Sequence, residues 1–165
     1  MLHIRKAHIT DLPGITDIYN EAVLNTTATF DTDPKTLAEQ EVWLVEHGAP
    51  NHPVLVAELA EQIVGWASLS AWSGRCAYSE TGEISLYVAA NQRGQGVGKQ
   101  LMAAIMRAGQ AGGLHTILAR IVGGNAVSIH LHEAEGFQLV GLMREVGYKF
   151  GQRLDIYLMQ KIYGA

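Results

Sequence analysis

The chain has 165 residues, 48% hydrophobic and 17% charged, a composition that fits one globular domain over 1–165 and excludes a disordered chain. Sixteen acidic against twelve basic residues leave a formal charge of −4, which argues against nucleic acid as the main partner but permits a local basic spot for a small anion. The single cysteine, Cys76, excludes an intrachain disulfide and a cysteine-rich metal site, and no apolar run approaches the roughly 18 residues that span a bilayer, so a cytoplasmic domain without membrane contact is expected.

In chain order, Leu2 to His8 reads as a short strand. Asp11 reads as a helix N-cap with Pro13 in the first turn, and Ile15, Ile18, Tyr19, Ala22 and Val23 recur at helical spacing. A polar stretch, 25–34, carries Phe30 in its middle. Thr36 and Glu39 have the spacing of a capping box, opening a second helix through Leu37, Trp43 and Leu44. Pro53 to Leu59 and Ile63 to Leu69 read as a hairpin around Ala60-Glu61-Gln62. A loop from Ser70 to Gly82 leads to a strand from Glu83 to Val88. A glycine-rich turn then opens a helix whose buried face is Leu101, Met102, Ile105 and Met106, closed by Gly112-Gly113. His115 to Val122 is a strand, Ala126 to Glu135 a short helix stopped by Gly136, and Phe137 to Met143 and Leu154 to Ile162 are the last strands. The order β, α, α, β, β, β, α, β, α, β, β predicts one mixed sheet flanked by helices.

The glycine turn is the sharpest local signal. Arg93-Gly94-Gln95-Gly96-Val97-Gly98-Lys99 follows a strand and opens a helix. The first helical turn leaves its amides unpaired and carries positive partial charge, and glycines let a phosphate come close to those amides. Arg93 and Lys99 add formal charge, so the segment reads as an anion site of pyrophosphate size. It is not a Walker A loop, since Gln100 follows Gly98-Lys99 and Arg93 stands where the first glycine belongs. It also fails the dinucleotide fingerprint, which needs glycine where Lys99 stands. Taken alone, it also reads as a flexible turn before a helix.

The segment 93–98 after the strand resembles the acetyl-CoA signature of the GNAT acetyltransferase superfamily. Asn125 to Phe137, an asparagine followed by a short helix ending in Gly136-Phe137, resembles that superfamily's next motif, and the element order fits from end to end. More narrowly, 25–30, 83–88, His132-Glu133-Ala134, 146–151 and Leu154-Asp155-Ile156 are similar to the phosphinothricin and methionine sulfoximine N-acetyltransferases. The resemblance implies a single-domain α/β (α+β) fold, a mixed, mostly antiparallel sheet of six to seven strands with about four helices. It implies acetyl-CoA as co-substrate, no metal, direct transfer to the α-amine of a small amino-acid-like acceptor, a role in either detoxification or endogenous metabolism, and a homodimer. A protein N-terminal or lysine acetyltransferase, and a non-catalytic acyl-CoA-binding module, are the other readings.

The resemblance also implies roles. Glu83 becomes the general base, where the residue alone reads as a solvated glutamate at a strand end. The Leu86, Tyr87 and Val88 backbone becomes the stretch that pairs with the pantetheine arm and supplies an oxyanion donor. Arg93, Gly94, Gln95, Gly96, Val97, Gly98 and Lys99 hold the pyrophosphate. Asn125, with Ser128, bonds the pantetheine arm, although Asn125 reads equally as a helix N-cap. His132 stands where the wider superfamily often has tyrosine, and is either an acid for the leaving thiolate, an assisting base, or a helix-surface residue with no role. His130 lies on another helix face, so the two histidines make a poor metal pair. Phe30 either meets the acceptor's side chain or anchors its loop. Arg75 is either a carboxylate clamp or a solvated loop residue. Ser73, Tyr78, Ile84 and Ser85 complete the acceptor set, with Tyr148 and Lys149 approaching from the C-terminal region or a partner subunit. Cys76 has no adjoining base and is not read as a nucleophile.

Overall fold

The strongest periodicities in the chain become the elements that carry its core. The computed structural model describes residues 1–164. Its strands are β1 (His3–Lys6), β2 (Val54–Leu59), β3 (Gln62–Ala71), β4 (Thr81–Val88), β5 (Thr116–Val122), β6 (Gln138–Lys149) and β7 (Gln152–Ile162). The helices are α1 (Leu12–Asn25), α2 (Leu37–Glu46), α3 (Val97–Ala111) and α4 (Ala126–Ala134). The strands form one seven-stranded sheet in the order β1-β2-β3-β4-β5-β7-β6. All neighbours are antiparallel except β4 and β5. This is the mixed, mostly antiparallel sheet expected.

Helices cover both faces. Leu101, Met102, Ile105 and Met106 of α3 are at most 2% exposed and pack on Ala67, Leu69, Ile84, Ile117 and Met159 of the sheet. Each such side chain contributes about 1.5–3 kcal/mol relative to exposure. On the other face, Ile15 and Ile18 of α1 pack with Val54, Val56 and Trp66. The Trp66 ring meets Tyr19 edge-on at 5.9 Å and Trp43 of α2 at 5.3 Å. Alternation along β4 splits its residues between these faces. Ile84, Leu86 and Val88 join the α3 core, while Tyr87 joins the α1 cluster, which puts Glu83 and Ser85 on Tyr87's side.

The Thr36–Glu39 capping box forms as read: Thr36 Oγ1 accepts from the Glu39 amide at 3.2 Å, and Glu39 Oε2 accepts from the Thr36 amide at 2.7 Å. Asp11 departs from its reading. Its carboxylate makes no cap bond to α1. It accepts from Arg5 Nη1 and Nη2 at 2.7 and 2.8 Å and from the His8 amide at 2.8 Å, closing a single 3₁₀ turn ahead of the helix. A guanidinium fork from the adjacent strand outcompetes one backbone amide. The β2–β3 hairpin is tighter than read. Leu59 pairs with Gln62, so only Ala60 and Glu61 turn the chain, both at positive φ (49° and 63°). β6 is longer than read. It runs past Met143 to Lys149 across an irregularity at which Glu145 takes φ 53°. A bulge breaks the alternation that marks a strand in sequence without ending the pairing.

Candidate active site

The site begins where the sheet comes apart. β4 and β5 pair only at Thr81–Thr116, Gly82–Ile117 and Glu83–Leu118, yet β4 continues to Val88 and β5 to Val122. The other edge of β4 stays paired to β3 as far as Val88. From Ile84 onward, β4 therefore offers backbone donors and acceptors toward a wedge-shaped opening, where an extended ligand can complete the ladder. The opening is a cavity of about 570 Å³, lined by residues 83–87 of β4, 119–122 of β5, one side of α4 and the loop 27–31.

The glycine turn lies beyond Val88, at the far end of that free edge. Gly94 and Gly96 have φ of +75° and +83°, and a Cβ added to either meets open space. Gly96 caps α3 from the left-handed region, so the amides of Val97, Gly98 and Lys99 fall in a first turn with no carbonyl inside the helix to bond. Lys99 is exposed beside them. The residues present fit a pyrophosphate reached along the free edge of β4.

Two ionisable groups dominate the cavity. Glu83, 19% exposed, accepts from Arg120 Nε and Nη2 of β5, both at 2.8 Å. His132, 6% exposed, packs edge-on against Phe137 at 5.0 Å. Its Nδ1 lies 2.7 Å from the Ser128 carbonyl, which can only accept, so Nδ1 carries the proton and Nε2 presents a lone pair. Burial pushes His132 below its ordinary pKa against the opposing pull of that carbonyl, so the ring is neutral at pH 7. Tyr87 is pushed up to about 12 by burial, and Tyr19 is raised by burial and by its bond to Asp31, so both phenols stay protonated.

The family described as acetyltransferase (GNAT) domain matches residues 4–158. The chain belongs to the GNAT acetyltransferase family. It is an acetyl-CoA-dependent N-acetyltransferase. An L-methionine sulfoximine/L-methionine sulfone acetyltransferase of Pseudomonas aeruginosa is 44% identical over 158 residues, 95% of this chain and 92% of that one. A ribosomal-protein-alanine N-acetyltransferase from Brucella melitensis is 40% identical, with a TM-score of 0.94 over 97% of this chain and 99% of that one. A phosphinothricin acetyltransferase from Sinorhizobium meliloti, solved with acetyl-CoA, is 36% identical, with a TM-score of 0.94 over 98% of this chain and 88% of that one.

In this acetyltransferase the cavity brings together Glu83, His132, Phe30, Ser85, Leu86, Tyr87, Asn125 and Ser128. Ile84 borders the cavity but is a core residue. Asn125 caps α4, its Oδ1 accepting from the Ser128 amide at 3.2 Å. Val97 is buried, so its amide and not its side chain is available to a ligand. Gln95 Nε2 donates to the Asn91 carbonyl at 3.1 Å. Arg93 is already engaged, with Nη2 on Glu21 at 2.8 Å and Nε on the Val88 carbonyl at 3.2 Å, so it braces the turn against α1.

Ser73, Arg75 and Tyr78 are not among the residues that line the cavity. They lie in the loop 72–80, where Arg75, Cys76 and Tyr78 are exposed and the Arg75 amide donates to Ser73 Oγ at 3.3 Å. The loop's first residue, Trp72, lies over the Arg120 guanidinium, 5.5 Å from ring centroid to Cζ, beside the Glu83 pair. Lys149 approaches from its own chain, donating to the Thr29 carbonyl at 2.8 Å. Sequence reading missed Arg120, Tyr19 and Asp31. Arg120 left a signal, the one charge in the otherwise apolar run Ile117 to Val122. Among the described residues, no three His, Cys, Asp or Glu side chains group to hold a metal, and no helix is long and apolar enough to cross a membrane.

Proposed function

We propose that this acetyltransferase moves the acetyl group of acetyl-CoA to the α-amine of a small amino-acid-like acceptor of the methionine sulfoximine, methionine sulfone or phosphinothricin type, by direct attack in a ternary complex. The observation that carries the reading is the cavity at the β4–β5 fork, with Glu83 at its apex and Phe30 on its wall. The names of the Pseudomonas and Sinorhizobium relatives point the same way.

In this reading the free edge of β4 from Leu86 to Val88 takes the pantetheine arm and donates one amide to the developing oxyanion. The amides of the 94–99 turn, with Lys99, take the pyrophosphate. Asn125 and Ser128 border the arm from α4. Glu83 receives the amine's proton, directly or through water. The nitrogen then bonds to the acetyl carbonyl, and the carbon–sulfur bond breaks with its electron pair leaving on sulfur. The neutral Nε2 of His132 suits a proton acceptor, an assisting base rather than the acid for the departing thiolate.

The Brucella structure's name favours a second reading, acetylation of a protein N-terminus. Thiol release from acetyl-CoA separates the two. Release with methionine sulfoximine or sulfone, and none with an N-terminal alanine peptide, a lysine peptide or no acceptor, supports the small-acceptor reading. Release with a peptide alone overturns it, and acetyl-CoA binding without turnover for any amine makes the protein a binding module.

We also infer a homodimer in the cytoplasm. β6 is an edge strand that exposes Leu139, Val140, Leu142, Val146 and Tyr148, apolar surface that an unpaired edge leaves to a second copy. Sedimentation giving a monomer mass would overturn it.

A further inference from the structure

We propose that Arg120 is the receptor for the acceptor's α-carboxylate, and that Arg120 and Glu83 together read the acceptor as a zwitterion. The inference rests on the small amino-acid reading above. The Arg120 guanidinium has one edge committed, with Nε and Nη2 on the two Glu83 oxygens at 2.8 Å each. One face is covered by the Trp72 ring, whose centroid is 5.5 Å away. The other edge, Nη1 with the second Nη2 proton, has no acceptor among the described residues, and the side chain is 51% exposed.

A guanidinium carries five donors in a planar fork, so this free edge matches a second carboxylate without releasing the first. Among the described residues lining the cavity, Arg120 is the one cation, since His132 is held neutral. Of the other basic side chains, Lys149 donates to the Thr29 carbonyl and Arg93 to Glu21, while Arg75, in the loop that carries Trp72, is the rival tested below. A carboxylate that enters this cavity therefore meets Arg120 as the cation on its wall. The acceptor's ammonium sits next to its carboxylate and meets the Glu83 oxygens, whose remaining lone pairs are free. The ion pair is thus a template with its charges in the order that an α-amino acid complements.

The test compares kcat/KM for an accepted amino acid with that for its carboxamide and its decarboxylated amine. In Arg120→Gln the ratio of acid to carboxamide falls about 10- to 100-fold, the effect of losing a charge-assisted bidentate contact, and the loss sits in KM. Arg120→Lys, which keeps the charge without the fork, falls between. Arg107→Gln, a charge control exposed on α3, keeps the wild-type ratio. Retained acetyl-CoA binding in calorimetry shows that the variants fold.

An unmoved ratio in Arg120→Gln, with both acceptors weakened equally or neither weakened, overturns the proposal and leaves Arg120 as a brace for Glu83. A selective loss in Arg75→Ala without one in Arg120→Gln also overturns it and returns the clamp to the loop. A wild-type enzyme that acetylates no amino acid defeats the acceptor reading, and this inference falls with it. Turnover with an unmoved ratio defeats this inference alone.

Discussion

Lys149 Nζ donates to the Thr29 carbonyl at 2.8 Å across 120 residues of chain. The last hairpin thereby pins the loop that walls the cavity. Lys149 is 4% exposed, and burial pushes its ammonium below the ordinary lysine value while Asp31 pulls the other way. Two residues earlier on β6, Gly147 lies under the Phe30 ring so closely that an added Cβ would fall within that ring's van der Waals envelope. Phe30 is therefore both a wall of the cavity and an anchor of its loop.

Gly147→Ala must displace that ring. Overpacking of this kind costs about 1–3 kcal/mol. The expected outcome is a lower melting temperature and a raised KM for the acceptor, with acetyl-CoA affinity as in the wild type. An unchanged acceptor KM would show that Phe30 does not shape the acceptor site.

Glu83→Gln keeps the size and one acceptor oxygen but cannot take a proton. A general base is worth about 10²- to 10⁴-fold in rate, and a fall of that order is expected in kcat. Acetyl-CoA affinity, read by calorimetry, stays at the wild-type value because Glu83 lies at the fork and not along the free edge. A wild-type rate across a pH profile would remove Glu83 from the chemistry.

The glycine turn separates two kinds of glycine. Gly96→Ala forces a side chain into the left-handed region, a cost of about 1–2 kcal/mol, and sets a methyl where an anion would approach. Acetyl-CoA affinity is expected to fall steeply. Gly98 has ordinary helical φ, and a Cβ there meets Leu131, Val88 and Leu86 at 3.6–3.8 Å. Gly98→Ala is expected to raise stability by about 0.5–1 kcal/mol through the loss of chain entropy in the unfolded state. Equal losses of affinity in the two variants would mean that the turn's conformation is not what binds.

Stability should fall on the acid side of neutrality. Burial depresses the pKa of both His132 and His47 below 6.5, and His47 is locked between the Trp43 carbonyl at 2.7 Å and Ser70 Oγ at 2.8 Å. Well above pH 6.5 neither state binds these protons, and the stability is fully present. As the pH drops from 6.5 through the depressed folded values, the unfolded chain binds more protons and folding weakens. Melting temperatures at pH 8, 6.5 and 5.5 should decline in that order, and His132→Gln should flatten part of the slope. A slope unchanged by that substitution would mean that His132 titrates alike in both states.

Local chemistry is legible in a linear sequence when neighbours in the chain supply it. The Thr36–Glu39 box, the apolar face of α3 and the positive-φ glycines before it all depend on contacts within one turn, so their spacing alone determined them. The order of strands and helices followed for the same reason. The position where β4 parts from β5 is different, because it depends on how two strands separated by a whole helix diverge in space. Pairing Glu83 with Arg120 and seating Phe30 on Gly147 are likewise long-range choices. Alternation assigns a residue to a face of the sheet, but only the packed sheet decides which strand lies beside it, and that neighbour set the charge pattern of the cavity.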